Sequence, residues 1–146
     1  MTDNFDKIME FVFRWEGWKS DDPDDAGRRT VWGICGRDYP HDVELMWSMG
    51  KEESKEYAKT IFRRDYWDAV NGDNLATGLD AFIMDVAVNM GKYFANKLKQ
   101  YELNDAFIKR IERYTQIAAQ GNNIKFLRGW LRRTVDLYWF IKRANL

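Results

Sequence analysis

Two carboxyls nine residues apart, Glu16 and Asp25, sit in surroundings of opposite character. Glu16 closes an apolar run and is flanked by Trp15, Gly17 and Trp18. A carboxyl beside indoles is poorly solvated, and desolvation raises its pKa because it penalises the charged form. Asp25 lies in the polar stretch KSDDPDDAGRR with Asp21, Asp22 and Asp24. Carboxylates there are solvated and ionised. One carboxyl that keeps its proton and one that does not is the arrangement that separates general acid from base or charge stabiliser in the cleavage of a glycosidic bond. Five residues on, Thr30 offers a hydroxyl to position a water or to hydrogen-bond the second carboxylate.

Other chemistries fit the chain less well. DDPDDAG resembles the start of a calcium loop, but the twelfth position, which needs a Glu, is Trp32 counted from Asp21 and Gly33 counted from Asp22. A single histidine, His41, and the lack of a CxxC exclude an HExxH site and a structural zinc, so no metal is expected. A Cys35–His41 thiol pair is disfavoured because Cys35 lies among Trp32 and Ile34, where an apolar environment raises the thiol pKa. One cysteine rules out an internal disulfide framework and fits synthesis in a reducing compartment. No run of 18 apolar residues is present, and the acidic start MTDNFDKIMEFVFRWEG does not read as a secretory signal.

The 146 residues predict one compact domain. Asn4–Glu16 reads as a helix, with Phe5, Ile8, Met9, Val12 and Phe13 on one stripe and Gly17 as its left-handed cap. Lys19 to Arg29 is a loop, and Thr30 to Cys35 is strand-like. Helical spacing returns from Ser48, with Ala58, Ile61, Phe62 and Tyr66, and again over Leu75–Met90. Asn104 is placed to cap a helix through Ala118, and Asn122 or Asn123 one that runs to about Lys142. The fold class is therefore mainly α (α+β): a small irregular or β lobe after the first helix, then a helical bundle.

Charge is unevenly spread. Residues 1–80 carry 18 acidic and 11 basic side chains, and residues 81–146 carry 5 and 12. The last helix is basic and amphipathic, with Lys125, Arg128, Arg132 and Arg133 beside Leu127, Trp130 and Leu131. Such a helix either closes the core or contacts an anionic envelope or membrane surface. Nucleic acid is not expected, because the half that carries the two carboxyls is acidic and repels a polyanion. Seven Trp and seven Tyr supply faces for sugar stacking. Trp18, Trp32, Tyr39, Tyr66 and Trp67 are candidates for substrate contact. Asp85 and Asn89, four apart on one helix, are candidates to share a ligand.

The run EGWKSDDPDDAGRRTVWGICGRDYP resembles the signature of glycoside hydrolase family 108, the phage and bacterial N-acetylmuramidases. FRRDYWDAV and FIMDVAVNMG are similar to the family's next two blocks, and KFLRGWLRRTVDL looks like the end of its C-terminal peptidoglycan-binding segment. The family's paired glycines are replaced by Gly17-Trp18 and Gly27-Arg28. The resemblance implies a lysozyme-like fold, with a catalytic region over residues 1–91 and a helical segment over 92–146 packed on it. It puts Glu16 on the catalytic Glu, Asp25 on the second acidic position and Thr30 on the accompanying threonine. It implies a monomeric endolysin that hydrolyses, without a cofactor, the β-1,4 bond between N-acetylmuramic acid and N-acetylglucosamine in peptidoglycan glycan strands. Such an enzyme is made in the host cytoplasm and reaches the wall by holin-type release or virion delivery. The alternatives are a lytic transglycosylase on the same polymer and a non-enzymatic wall-binding or virion protein with a relict site.

Overall fold

The structure is a computed structural model that describes residues 4–23 and 28–146. The first helix, α1 (Asn4–Glu16), has the bounds its apolar stripe predicts, and Gly17 ends it at φ +76° with its N–H bonded to the Phe13 carbonyl at 2.9 Å. Phe11 joins Phe5, Ile8, Met9, Val12 and Phe13 in the core, so α1 is covered on most of its surface. Three two-residue strands follow in antiparallel order: β1 (Lys19–Ser20), β2 (Thr30–Val31) and β3 (Ile34–Cys35). Lys19 and Ser20, expected in a loop, pair instead with Val31 and Thr30.

Helix α2 (Pro40–Trp47) was not expected. It is short and buries only Val43 and Met46, too few residues to set a period, but Pro40 opens it with a preset φ. Helix α3 (Lys51–Phe62) runs into a π-helical turn, Arg63–Trp67. A 3-10 turn, Gly72–Asn74, precedes α4 (Leu79–Met90). That helix starts four residues later than its apolar pattern predicts, because Leu75 is extended and Gly78 has φ +91°. Asp80 then caps it, taking the Gly78 and Ala81 N–H groups at 2.9 and 2.7 Å and the Asn4 side-chain amide at 2.9 Å.

Helix α4 is the centre of the molecule. Every residue from Asp80 to Ala87 is buried, and its neighbours include α1, α5 (Lys92–Leu98) and α6 (Leu103–Ala118). Asn104 is not a cap, since α6 begins one residue before it. A 3-10 turn over Asn123–Phe126 leads into α7 (Leu127–Arg143), which packs on α1 and α6. Each large apolar side chain withdrawn into this core contributes roughly 1.5–3 kcal/mol. The core thereby fixes the C-terminal end of α1 between the small sheet and α7.

Candidate active site

Glu16 is the last residue of α1, and two features position its side chain. The first is the β2–β3 hairpin. Its two central residues, Trp32 and Gly33, both have positive φ (52° and 83°), as in a type I′ turn. For a tryptophan this conformation is strained. The ring compensates: it is buried, packs edge-on against Phe13 with centroids 5.2 Å apart, and donates its indole N–H to Ser54 Oγ at 3.0 Å. Gly33 is thus pressed against Glu16. A Cβ there would lie 2.7 Å from Glu16 Cγ and 2.8 Å from Oε2. Gly33→Ala is therefore expected to displace the carboxyl. Activity should fall about a hundredfold, the scale of a roughly 1 Å misplacement, while urea unfolding shows a loss of only about 1–2 kcal/mol from the left-handed backbone.

The second feature is a cluster of opposite charges. Arg133 of α7 donates from Nη1 to Glu16 Oε1 at 2.8 Å. It also grips Asp85 of α4 from Nη2 at 2.7 Å and Nε at 3.1 Å. Arg110 of α6 closes the other side of Asp85 at 2.8 Å. Arg110 further donates to the Tyr114 hydroxyl from Nε and Nη2, and that hydroxyl donates to the Asn89 side-chain carbonyl. Burial alone pushes the Asp85 carboxyl up, but the charges of Arg133 and Arg110 and their hydrogen bonds hold it below the usual carboxylate range. Burial likewise pushes the Arg133 guanidinium down, and the charges of Asp85 and Glu16 more than restore it. Of the two carboxylates on Arg133, Asp85 has a side chain 0% exposed and Glu16 one 22% exposed. Glu16 alone is open to a ligand.

The indoles on either side of Glu16 in sequence do not wrap it. Trp15 donates its N–H to Asp136 and Trp18 to Ser54. The greasy niche expected for Glu16 is thus corrected to a guanidinium on one side and a backbone glycine on another. Asp25 lies outside the described residues, in the segment that links β1 to β2. Thr30 opens β2, opposite Ser20 and Cys35 in the sheet, and is half-buried.

The aromatic candidates separate. Trp67 is 1% exposed, its ring packed over Gly72 and its N–H on Asp73, so it is a core residue with no face for a sugar. Trp32 is corrected to core for the same reason. Trp18 is half-buried, with the Lys19 ammonium 4.7 Å from its ring centre. Tyr39 and Tyr66 are half-buried; Tyr39 donates to Asp65, whose pairing with Arg64 pulls its carboxyl down to about 2. Burial pushes the Tyr66 hydroxyl up, against a hydrogen bond from Tyr39 that lowers it. Asp85, expected to touch a ligand, instead anchors Arg133 from the interior. Asn89 is half-buried at the far end of the cluster.

Arg110, Arg133, Tyr114 and Gly33 were not singled out from the sequence as site residues. A signal existed for two of them. Arg110 falls on the buried stripe of α6, between Phe107 and Tyr114, and Arg133 lies on that of α7 with Leu137. A charged residue on an apolar stripe requires a buried partner.

The family model described as Glycosyl hydrolase 108 matches residues 9–91, more than half of the chain. That span holds Glu16, the sheet and α4 through Gly91, while both guanidinium groups of the cluster come from beyond it. Among solved structures, Brucella abortus SagA superposes with a TM-score of 0.70 at 24% identity, covering 97% of this chain and 93% of that one. At that identity the likeness establishes the fold, a mainly α, lysozyme-like one. No curated protein matches the chain.

Proposed function

Because this chain belongs to the glycosyl hydrolase 108 family and is thus a glycoside hydrolase of the peptidoglycan-degrading kind, we propose that it is a muramidase that hydrolyses the β-1,4 bond between N-acetylmuramic acid and N-acetylglucosamine, with Glu16 as the general acid. The observation that carries this reading is the half-buried, ligand-accessible carboxyl of Glu16 held at 2.8 Å by a buried guanidinium that is itself anchored to a fully buried carboxylate. A proton donor must be placed within hydrogen-bond reach of the leaving oxygen and kept there. Gly33 and Arg133 fix Glu16 from two directions.

In this mechanism Glu16 gives its proton to the glycosidic oxygen as the bond from that oxygen to the anomeric carbon breaks. Negative charge develops on the Glu16 carboxyl as the proton leaves. The reacting form is the one in which Glu16 carries a proton; Arg133, which pairs with the ionised form at rest, receives the carboxylate again without having to move. Asp25, assisted by Thr30, orients the attacking water or stabilises the oxocarbenium-like state. Its support is the family resemblance and its place in the chain between β1 and β2, just before the β2–β3 hairpin that touches Glu16. Trp18, Tyr39, Tyr66 and Asn89, all half-buried, are the remaining candidates for glycan contact. An endolysin acting as a monomer, with access to the wall after holin-type release or virion delivery, fits this activity.

Mass spectrometry of the products from purified peptidoglycan tests the reaction. Hydrolysis gives muropeptides with a free reducing end. A product set lighter by one water, carrying an anhydro sugar, would replace hydrolysis with transglycosylation.

A further inference from the structure

The outer face of α7 carries an apolar groove with a basic border. It has a volume of about 890 Å³, and its floor includes Leu131 and Trp15. Three side chains that line it are large, hydrophobic and exposed: Ile124 at 63%, Val135 at 55% and Trp139 at 53%. Arg128, Arg132 and Arg143 stand along the same groove, at spacings that return to one face of the helix. Arg128 and Arg132 make no ion pair among the described residues. Among the described residues that line the groove the one carboxylate, Asp136, is already neutralised: it accepts from Arg14 at 2.9 Å and from the Trp15 indole at 2.7 Å, and Arg143 lies 3.9 Å away.

We propose that this face docks the protein on an anionic phospholipid surface. Charge complementarity selects the partner's sign, and the apolar side chains select its kind. A hydrophilic polyanion would pair with the arginines but leave Ile124, Val135 and Trp139 in water. A second copy of the chain placed face to face would bury the side chains but bring like charges together. A bilayer interface satisfies both: guanidinium groups meet headgroup phosphates while the apolar side chains enter the boundary with the acyl chains. Tryptophan suits that depth, with an apolar ring and a polar N–H. This activity-independent surface goes beyond the muramidase reading, since it involves no glycan and none of the residues placed on Glu16.

Co-sedimentation of the full chain with large unilamellar vesicles tests it. Phosphatidylcholine vesicles containing phosphatidylglycerol should bind at least about tenfold more tightly than phosphatidylcholine alone, and the difference should collapse in about 0.5 M salt, where screening is short-ranged. Two variants, Val135→Ser/Trp139→Ser and Arg128→Glu/Arg132→Glu, should each lose that binding while cleaving purified peptidoglycan at the parental rate. The proposal is overturned if the chain ignores the anionic vesicles, binds both compositions equally, or binds unchanged in either variant. It is also overturned if light scattering shows a dimer that Val135→Ser/Trp139→Ser dissociates. Cleavage without vesicle binding would remove this proposal alone; vesicle binding without cleavage would remove the muramidase reading alone.

Discussion

Asp85→Ala is expected to remove about 3–5 kcal/mol of stability, the cost of leaving a buried charge without its partner. The position is unusually exacting because two guanidiniums depend on one carboxylate. Arg110 is fully buried and already has one nitrogen, Nη1, with no hydrogen-bond partner among the described residues. Arg133 is 6% exposed and keeps only Glu16 once Asp85 is gone. A loss of that size is a large fraction of the roughly 5–15 kcal/mol that holds a domain together, so the urea midpoint should drop steeply. Asp85→Asn preserves the volume and isolates the charge. The pH dependence has a definite sign: a carboxyl held below its ordinary range when folded contributes stability above the ordinary value near 4 and loses it as pH falls through the folded value. Unfolding of the parent protein in acid should therefore carry a component from Asp85, and Asp85→Asn should lack it. An unchanged urea midpoint in both variants would show that the cluster does not hold α4, α6 and α7 together.

The same cluster explains what the sequence disclosed and what it concealed. Helix α1 was legible to its last residue, because a dense apolar stripe and Gly17 state where a helix runs and where it stops. The strand character of Thr30–Cys35 was legible from its β-branched and aromatic residues. Its turn was not, since Trp32 occupies a position that normally goes to Asn or Asp, and only tertiary packing of the ring makes that conformation affordable. Glu16 was legible as the last residue of α1 but its surroundings were not, since the indoles beside it in sequence turn to Asp136 and Ser54 and a guanidinium takes their place. For Arg133, whose contacts with Asp85 and Glu16 cross 48 and 117 positions, the stripe of α7 signals that a buried partner exists but not which residue it is. Trp67 and Trp32 show the converse. An aromatic near a block that resembles the family's reads the same in sequence whether its ring faces sugar or core, and burial alone decides. The charge asymmetry between the two halves has a double outcome: Arg133 and Arg110 turn inward to Asp85, while Arg128, Arg132 and Arg143 line the outer face of α7.

Glu16→Gln has the largest expected effect on activity. Glutamine keeps the length of the side chain and an oxygen that accepts from Arg133, so the hairpin, the cluster and the urea midpoint should stay near those of the parent protein. What it removes is the proton that the leaving oxygen needs and the negative charge that Arg133 meets. General acid catalysis by a positioned side chain is worth about 10²–10⁴-fold, and the loss should appear in the rate with little change in how tightly purified peptidoglycan is bound. The decisive measurement is the release of reducing ends from purified peptidoglycan by the parent protein and by Glu16→Gln, with both confirmed folded by the same urea titration. The account predicts a fall of at least about a hundredfold. Release at the parental rate by a folded Glu16→Gln would contradict it, because the carboxyl that α1, Gly33 and Arg133 converge to hold would then play no part in the chemistry.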